Sequence, residues 1–261
     1  MRKTQLFCTI FIFLSALCSS RAQDWEERAL GYERTVFEGV GAAEANAALL
    51  GKAECYKQLG RYAEAASTLA RIRMYALEED ERERVLLQQE LCLFLSGDFQ
   101  GASALVGESS STARNDLLLH ALVLCYAGRY RESEEMAARF LGWYGHADRL
   151  EALRRLYAQH PSPKGEVETM LLSFLPPAGH FYTGHRAEGL LSLGLNAAAA
   201  TFAAVNLMYG YWITGIVGGA IALNYTFMGN QERTAALAAR YNRDEPILFG
   251  DRVREFLRES L

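Results

Sequence analysis

Apolar residues follow three different patterns along the 261 residues of this chain. Near the N-terminus they form one compact block. From Asp24 to Arg155 they recur at helical spacing among many charged residues, and the 43 residues from Gly189 to Gln231 contain no Asp, Glu, Lys or Arg. A period near 3.6 residues and long uncharged stretches are both typical of helices. The pattern therefore predicts an all-α protein with a targeting segment, a water-exposed helical region and a membrane-associated region.

The N-terminal block is organised like a secretory signal peptide, predicted to span residues 1–22. Two basic residues precede the apolar run from Leu6 to Leu17, and cleavage is expected after Ala22. Its twelve residues would form a helix of only ~18 Å, short of a ~30 Å hydrocarbon core, so a retained anchor is the weaker alternative. A second alternative is a lipoprotein acylated at Cys18, although a leucine stands before it where that processing requires a small side chain.

Three segments of the middle region are similar to one another, and they cover residues 49–72, 86–109 and 117–140. Each predicts a helix, a short break and a second helix. The breaks read Gly60-Arg61-Tyr62, Gly97-Asp98-Phe99 and Gly128-Arg129-Tyr130. Their glycines are 37 and 31 residues apart, which brackets a 34-residue period. Glycine suits the break because the chain needs a left-handed residue there. Small residues are expected where the two helices of a hairpin approach closely, at Ala65, Ala102 and Ser133.

These segments resemble the tetratricopeptide repeat. The first copy matches best, with that family's preferred spacing at Leu49, Ala53, Tyr56, Gly60, Tyr62 and Ala65. The second copy has Glu90 where a small residue is usual, and the third has Ser133 in place of alanine. The resemblance implies an array of helix hairpins over residues 23–160, in which the flanking segments 24–48 and 143–160 serve as capping helices.

First helices of successive tetratricopeptide repeats line a concave surface that binds a peptide or a partner helix, and the resemblance implies the same use here. The corresponding positions are mainly apolar, and we call them the groove: Leu50, Glu54, Lys57, Leu87, Leu91, Phe94, Leu118 and Leu122. We expect protein partners to bind there. The alternative is that these leucines simply pack against neighbouring helices of the array.

After a linker at residues 161–168, a membrane-associated segment is predicted over residues 169–230. Two apolar stretches, at about residues 189–208 and 211–229, would form helices of ~30 and ~28 Å, which match the hydrocarbon thickness of a bilayer. Since only two residues separate them, they are expected to form an antiparallel hairpin. Polar exceptions that are expected to hydrogen-bond between the helices are Asn196, Asn206 and Asn224. A water-soluble hairpin buried in protein is the alternative.

A glycine-rich turn precedes the first span, with the spacing P-x-x-G-x-x-Y-x-G-x-x-x-x-G. It resembles the P-G-x-G-x-x-Y-x-G signature of two-helix transmembrane domains. The matching residues are Pro176, Gly179, Tyr182, Gly184 and Gly189, whereas Pro177 stands where glycine is usual. In bacteria, similar segments follow tetratricopeptide-like regions in exported envelope proteins. We interpret the turn as a positioning element at the membrane interface, with Tyr182 at the headgroup level. Direct ligand binding is the alternative.

The last segment, residues 231–261, predicts two amphipathic helices separated by Asp244-Glu245-Pro246. Arginines of this segment could meet anionic lipid headgroups. Alternatively, one of its helices folds back onto the repeat array.

The net charge of the chain and its cysteine and histidine residues exclude several classes of function. The leader takes three of the 27 Lys and Arg residues and none of the 31 Asp and Glu residues, so the mature chain carries 24 against 31, a net charge of −7 that disfavours nucleic-acid binding. Three mature cysteines in apolar helical stretches, Cys55, Cys92 and Cys125, favour buried free thiols. The histidines are scattered, and no catalytic motif or phosphate-binding glycine loop occurs. No metal site, cofactor or enzymatic activity is therefore predicted.

These patterns together predict a non-enzymatic, membrane-tethered interaction scaffold. The leader would place the repeats in the periplasm of a Gram-negative-type bacterium and the hairpin in its inner membrane. The resemblance implies a role in envelope assembly or membrane-protein biogenesis. The main alternative is an accessory subunit of a channel or transporter, whose hairpin oligomerises and whose asparagines line a polar path. A lipoprotein would instead be a lipid-anchored envelope protein. The sequence leaves the partner and the oligomeric state open.

Overall fold

A computed structural model of the chain describes residues 22–39, 41–108, 113–143 and 145–260. Every regular element within these ranges is a helix or a helical turn, which confirms the predicted all-α class. The predicted signal peptide lies outside the described residues except for its last residue. The chain divides into two compact units, one reaching Tyr157 and including Val253–Leu261, the other covering Ala158–Arg252.

The first unit contains eight helices among its described residues. They are α1 (22–37), α2 (Ala42–Gln58), α3 (Tyr62–Leu69), α4 (Glu79–Ser96), α5 (Phe99–Leu105), α6 (Arg114–Tyr126), α7 (Tyr130–Trp143) and α8 (Leu150–Tyr157). Short 3-10 turns at Met74–Ala76 and Ala147–Arg149 precede α4 and α8. Helices α2 and α3, α4 and α5, and α6 and α7 form three successive hairpins in the predicted segments. This arrangement is compatible with a helical repeat array.

The break inside each hairpin is left-handed, as predicted. Gly60, Gly97 and Gly128 have φ of +70°, +87° and +81°. A side chain would be strained in this conformation, so glycine ends each first helix and lets the second turn back along it.

The small residues of the second helices lie at the closest part of each hairpin, since Ala65, Ala102 and Ser133 are fully buried. The hydrogen bonding of Ser133 also explains why serine stands in place of alanine in the third hairpin. Its hydroxyl donates to the carbonyl oxygen of Ala121 on α6 at 2.6 Å, and it lies 2.6 Å from the hydroxyl of Tyr157 on α8. The third hairpin is thereby tied to the helix that follows it.

Helix α1 covers the start of the first hairpin. A Cβ on Gly51 would lie 2.5 Å from the Tyr32 ring, so the ring occupies the space that the glycine leaves free. The Glu33 carboxylate accepts hydrogen bonds from Arg71 at 2.9 Å and from Lys52 at 2.7 Å. These two cations lower the pKa of Glu33 to about 2.

The second unit consists of α9 (Glu166–Ser173), α10 (Ala178–Tyr182), α11 (Arg186–Met208), a π turn (Thr214–Gly218) and most of α12 (Gly219–Arg258). The sequence predicted two C-terminal helices, and this was wrong, because α12 continues through Pro246 without a break. Buried side chains lie on both sides of the proline, at Leu237 and Phe249. Their burial offsets the ~3 kcal/mol that proline costs inside a helix.

The last turns of α12 belong to the first unit. The segment at residues 231–261, predicted to be separate, is therefore split between the two units after Arg252. Val253 and Leu257 are fully buried. The Arg149 guanidinium lies 4.5 Å from the ring centroid of Phe256 and 3.4 Å from the Glu259 carboxylate. Residues 253–260 therefore fold back onto the first unit, in line with the alternative given for this segment.

Helix α11 and the chain after Gly210 run antiparallel as a hairpin. A Cβ on Gly215 would lie 2.8 Å from Leu207, and one on Gly219 would overlap the Cβ of Ala203. Within the described residues, one helix is long and apolar enough to cross a membrane: Arg186–Met208, with 23 residues and an apolar window whose mean hydropathy is 1.5. Only 6% of its apolar window is buried, which is unlike a core helix. The other predicted span, residues 211–229, contains the π turn and the start of α12.

Candidate functional site

The first helix of each hairpin carries the predicted groove residues. Leu50, Glu54 and Lys57 lie on α2, Leu87, Leu91 and Phe94 lie on α4, and Leu118 and Leu122 lie on α6. Glu54 and Leu91 are exposed, and the other groove residues are half-buried.

The polar groove residues bridge two hairpins. The ammonium of Lys57 lies 2.6 Å from the carboxylate of Glu54 and donates to the side-chain oxygen of Gln88 on α4 at 3.4 Å. The Lys57 ammonium lowers the pKa of Glu54. This end of the groove therefore carries compensated charges.

An aromatic cluster uses Phe94 for packing. Its ring centroid lies 5.6 Å from that of Phe99 and 5.3 Å from that of Tyr126, so it joins the second hairpin to the third. Leu91, 41% exposed, remains accessible. Leu95, one turn further along α4, is 49% exposed and was not predicted. Leu91 and Leu95 are therefore the apolar α4 side chains most accessible to a partner.

A buried pair of ionisable groups lies between the second and third hairpins. Glu90 on α4 and His120 on α6 are 1% and 3% exposed, and Nε2 of the histidine lies 3.2 Å from Oε2 of the glutamate. Neither carboxylate oxygen has a well-aligned hydrogen bond within the described residues. Burial raises the pKa of Glu90, His120 opposes that change, and Asp116 adds to it. The sequence marked Glu90 as a departure from the repeat pattern but did not identify its partner.

The glycine-rich turn is built from close contacts. A Cβ on Gly179 would lie 2.7 Å from Cγ2 of Thr234 on α12 and 3.0 Å from Cα of Ser173. A Cβ on Gly189 would lie 2.9 Å from the Phe181 ring. Gly184, with φ of +85°, makes the left-handed turn between α10 and α11. The turn therefore locks α10 against its neighbouring helices, while the half-buried Pro176 precedes it.

Tyr182 of the turn holds the end of the linker. Its hydroxyl accepts a hydrogen bond from the backbone N–H of Gly165 at 3.2 Å. The Lys164 ammonium lies 4.6 Å from its ring centroid and 4.8 Å from that of Tyr241. Asn242 also donates to the Lys164 carbonyl and accepts from its N–H, at 2.8 and 2.7 Å. The sequence did not predict this use of Tyr182.

We expect Gly179→Ala to destabilise the second unit by about 1–3 kcal/mol, because the new methyl group would overpack the contact with α12. Gly229→Ala is the matched control, since a Cβ there meets nothing within 4 Å. Hydrogen exchange of the α9 and α10 amides would measure the difference. Equal protection in the two variants would contradict the packing role of the turn.

Polar side chains on the inner face of the α11–α12 hairpin form hydrogen bonds with one another. Ser192 donates to the side-chain oxygen of Asn230 at 2.7 Å, and Asn230 in turn donates to the carbonyl oxygen of Ser173. Thr226 donates to the side-chain oxygen of Asn196 at 3.0 Å. The side-chain amide of Asn196 donates to the Ser192 carbonyl at 2.9 Å. These bonds join α11, α12 and the end of α9.

The other two predicted asparagines do not bridge the helices. Asn206 donates to the carbonyl oxygen of Phe202 on its own helix at 2.8 Å. Asn224 is exposed, and no hydrogen bond of its side chain is found within the described part of the chain. Asn196 is therefore the predicted asparagine that joins the two helices.

A charged pair closes one end of the hairpin. Arg233 donates two hydrogen bonds to the Glu188 carboxylate, at 2.8 and 2.9 Å. His180 nearby is 3% exposed, and its Nδ1 lies 3.5 Å from the hydroxyl of Thr234. Burial lowers the pKa of His180, which favours the neutral imidazole.

The outward face of the hairpin is apolar and exposed. Large side chains that are more than 40% exposed there include Leu190, Leu191, Leu195, Phe202, Val205, Met208, Tyr209, Tyr211, Trp212, Ile213, Ile216, Val217, Ile221, Tyr225 and Met228. Such a face requires an apolar environment or a partner surface.

The cysteines of the described residues, Cys55, Cys92 and Cys125, are buried in the first unit and are not joined by disulfides. Burial raises the pKa of Cys55 and Cys92, which keeps these thiols protonated and unreactive. No group of three or more His, Cys, Asp or Glu side chains able to hold a metal occurs among the residues that the structure describes.

No protein-family model matches the chain, and neither a curated protein nor a solved structure matches it.

Proposed function

We propose that this chain is a non-enzymatic scaffold that a two-span hairpin tethers to a bacterial envelope membrane, where tetratricopeptide-like repeats bind protein partners. The observation that carries the proposal is the exposed apolar face of the hairpin. Monomeric soluble proteins rarely expose contiguous apolar patches larger than a few hundred Å². A bilayer would cover this face without any second protein.

The dimensions of the hairpin support a complete crossing. Helix α11 has 23 residues, which give ~34 Å against a hydrocarbon core of ~30 Å. The Glu188–Arg233 pair would lie among headgroups at one end. Tyr209, Tyr211 and Trp212 would form an aromatic anchor at the opposite interface. The second crossing would use the residues from Trp212 to Gly229.

The repeat unit supports the scaffold part of the proposal. Its three hairpins carry the tetratricopeptide-like residues, and Leu91 and Leu95 offer exposed apolar contacts on a first helix. Tethering would confine a partner's encounter to a thin layer at the membrane and raise its effective concentration. Envelope assembly or membrane-protein biogenesis is the proposed setting.

The proposed topology places the repeats and the C-terminus in the periplasm, with the turn at Tyr209 and Gly210 on the cytoplasmic face. A fluorescent protein that matures only in the cytoplasm, fused after Leu261, should stay dark. A bright fusion would overturn this topology.

Lysine substitutions would test the tether. Leu195, Ile216 and Ile221 are each more than 50% exposed, so lysines there should leave the hairpin packing intact. In a bilayer each lysine would cost about 2.5–3.5 kcal/mol near the span centre. The triple variant should therefore leave the membrane pellet in carbonate extraction, whereas the wild type should stay in it. A soluble wild-type chain would contradict the proposal. A chain that ends at Ser162 would be a poorer test of the tether. It would also lack Val253 and Leu257, which are buried residues of the first unit.

Photocrosslinking would test the groove. A photoreactive amino acid at Leu91 should form adducts with a partner, whereas one at the exposed Ala104 on α5 should not. The triple lysine variant should lose the Leu91 adducts because the tether is gone. Equal adducts from both positions would contradict a groove on the first helices.

The accessory-subunit alternative depends on span asparagines that are free to meet a second copy. Two of the three bond within the hairpin, and the exposed amide of Asn224 is the group that favours this alternative. A cysteine at Asn224 that yields a homotypic disulfide ladder in membranes would support it.

A further inference from the structure

Two pockets lie in the second unit. One of about 550 Å³ borders α9, and the other, of about 370 Å³, combines an ion pair, amide side chains and apolar side chains. The second pocket is a cleft along one side of the α11–α12 hairpin. Helix α11 contributes residues from Glu188 to Asn196, and α12 contributes residues from Tyr225 to Arg233. Eight steps along a helix, as from Glu188 to Asn196, span ~12 Å, so the cleft runs from the charged end of the hairpin into the proposed span.

The cleft is charged at its outer end and mixes polar with apolar side chains further in, where Asn196 and Thr226 also line it. The Glu188–Arg233 pair and His180 lie at the outer end. Ser192 and Asn230 follow about one turn deeper, and Leu191, Leu195 and Tyr225 supply apolar walls. A glycerophospholipid likewise begins with a charged headgroup, and its ester carbonyls and acyl chains could meet the polar groups and the apolar walls further in.

Two side-chain amides that line the cleft each have one N–H donor that the hydrogen bonds within the hairpin do not use. Each side-chain amide carries two N–H donors, and the bonds within the hairpin use one from Asn196 and one from Asn230. Both asparagines line the cleft, and an amide N–H suits ester carbonyls, which accept hydrogen bonds but cannot donate them. The floor of the cleft therefore suits the glycerol ester region of a lipid.

The charges at the outer end select between lipid classes. The Glu188 carboxylate and the Arg233 guanidinium compensate each other, and both are partly exposed. A headgroup with one phosphate and one ammonium matches such a pair, with phosphate toward the arginine and ammonium toward the glutamate. An anionic headgroup would satisfy only the arginine.

We propose that the cleft between α11 and α12 is a binding site for one zwitterionic phospholipid, held by Glu188 and Arg233 at its headgroup and by the leucine walls at its acyl chain. The inference rests on the proposed membrane hairpin. Bound lipid would fill the cleft and join the two helices at the membrane surface.

Gly229 permits a sharp test because it lines the cleft, and a Cβ added there meets nothing within 4 Å. Gly229→Leu should fill the cleft without disturbing the helices. Gly194→Leu is the matched control, since a Cβ on Gly194 also meets nothing within 4 Å but that residue does not line the cleft. Arg233→Gln is a second variant, which removes the phosphate partner and keeps the cleft open.

The full chain, purified in mild detergent, would be titrated with dioleoylphosphatidylethanolamine in competition with dioleoylphosphatidylglycerol, and native mass spectrometry would count the bound lipids. The wild type and Gly194→Leu should retain one phosphatidylethanolamine, and Gly229→Leu and Arg233→Gln should bind it at least about ten-fold more weakly. Equal binding by all four proteins, or preference for phosphatidylglycerol, would overturn the lipid site.

Flotation with lipid vesicles separates the two proposals. If the wild-type chain floats with the vesicles but shows no lipid preference, only the lipid site is contradicted. If it does not float, the membrane hairpin is contradicted as well.

Discussion

Replacing His120 with leucine is expected to destabilise the first unit by about 3–5 kcal/mol at neutral pH, because it leaves the Glu90 carboxylate buried without a compensating partner. Both side chains are nearly inaccessible, so water cannot take the place of the imidazole. Hydrogen exchange of the α4 and α6 amides in the full chain would measure the loss.

The loss should depend on pH in a defined direction. Burial raises the pKa of Glu90 above its ordinary value of 4.5, and His120 opposes that rise, so the pKa of Glu90 rises further in His120→Leu. Between pH 4.5 and the folded pKa, the folded chain binds more protons than the unfolded chain, and stability falls as pH rises. The deficit of the variant should therefore be smallest below the ordinary pKa of a glutamate and grow above it.

Removing both charges provides the control. Glu90→Leu combined with His120→Leu should recover most of the lost stability, because well-packed apolar residues often replace a buried pair without cost. A single variant as stable as the wild type at neutral pH, or a double variant worse than His120→Leu, would show that the pair does not compensate its own burial.

The hairpins of the first unit were predictable because their signals are local. A left-handed glycine such as Gly97 and a fully buried small residue such as Ala102 act within one hairpin, so their spacing alone places two helices. The partner of Glu90 was not predictable, because it lies on the next hairpin and depends on how successive hairpins stack. The only sequence signal was a carboxylate at a position where the other hairpins have alanine.

The same limit applies to the second unit. The sequence placed the glycine-rich turn correctly in the chain, but not the contacts of Gly179 with Thr234 or of Tyr182 with Gly165, which join distant elements. Pro246 misled the prediction for a related reason. Proline is a local helix breaker, whereas the continuity of α12 comes from buried residues on both sides of it. Tertiary packing thus overrode the local signal.

Gly219→Leu is expected to disrupt the hairpin, because α11 and α12 approach so closely there that a Cβ would overlap the Cβ of Ala203 and lie 3.2 Å from its Cα. The second contact is with backbone, which cannot rotate away, so the helices themselves must separate. Overpacking of this kind costs about 1–3 kcal/mol, and more when a backbone must move. Thermal unfolding of the full chain in mild detergent, followed by circular dichroism, should show a lower midpoint.

The same residues allow a compensating exchange. Gly194→Leu adds an equal side chain where a Cβ meets nothing within 4 Å, and it should leave the midpoint unchanged. Gly219→Ala should lower the midpoint, and adding Ala203→Gly should restore it, since the methyl group then moves from one helix to the other. Close backbone approach holds helices together in lipid, where no hydrophobic effect acts between them. If Gly219→Leu unfolds at the same temperature as Gly194→Leu, the two helices do not pack at this point, and the proposed membrane anchor is not a single packed unit.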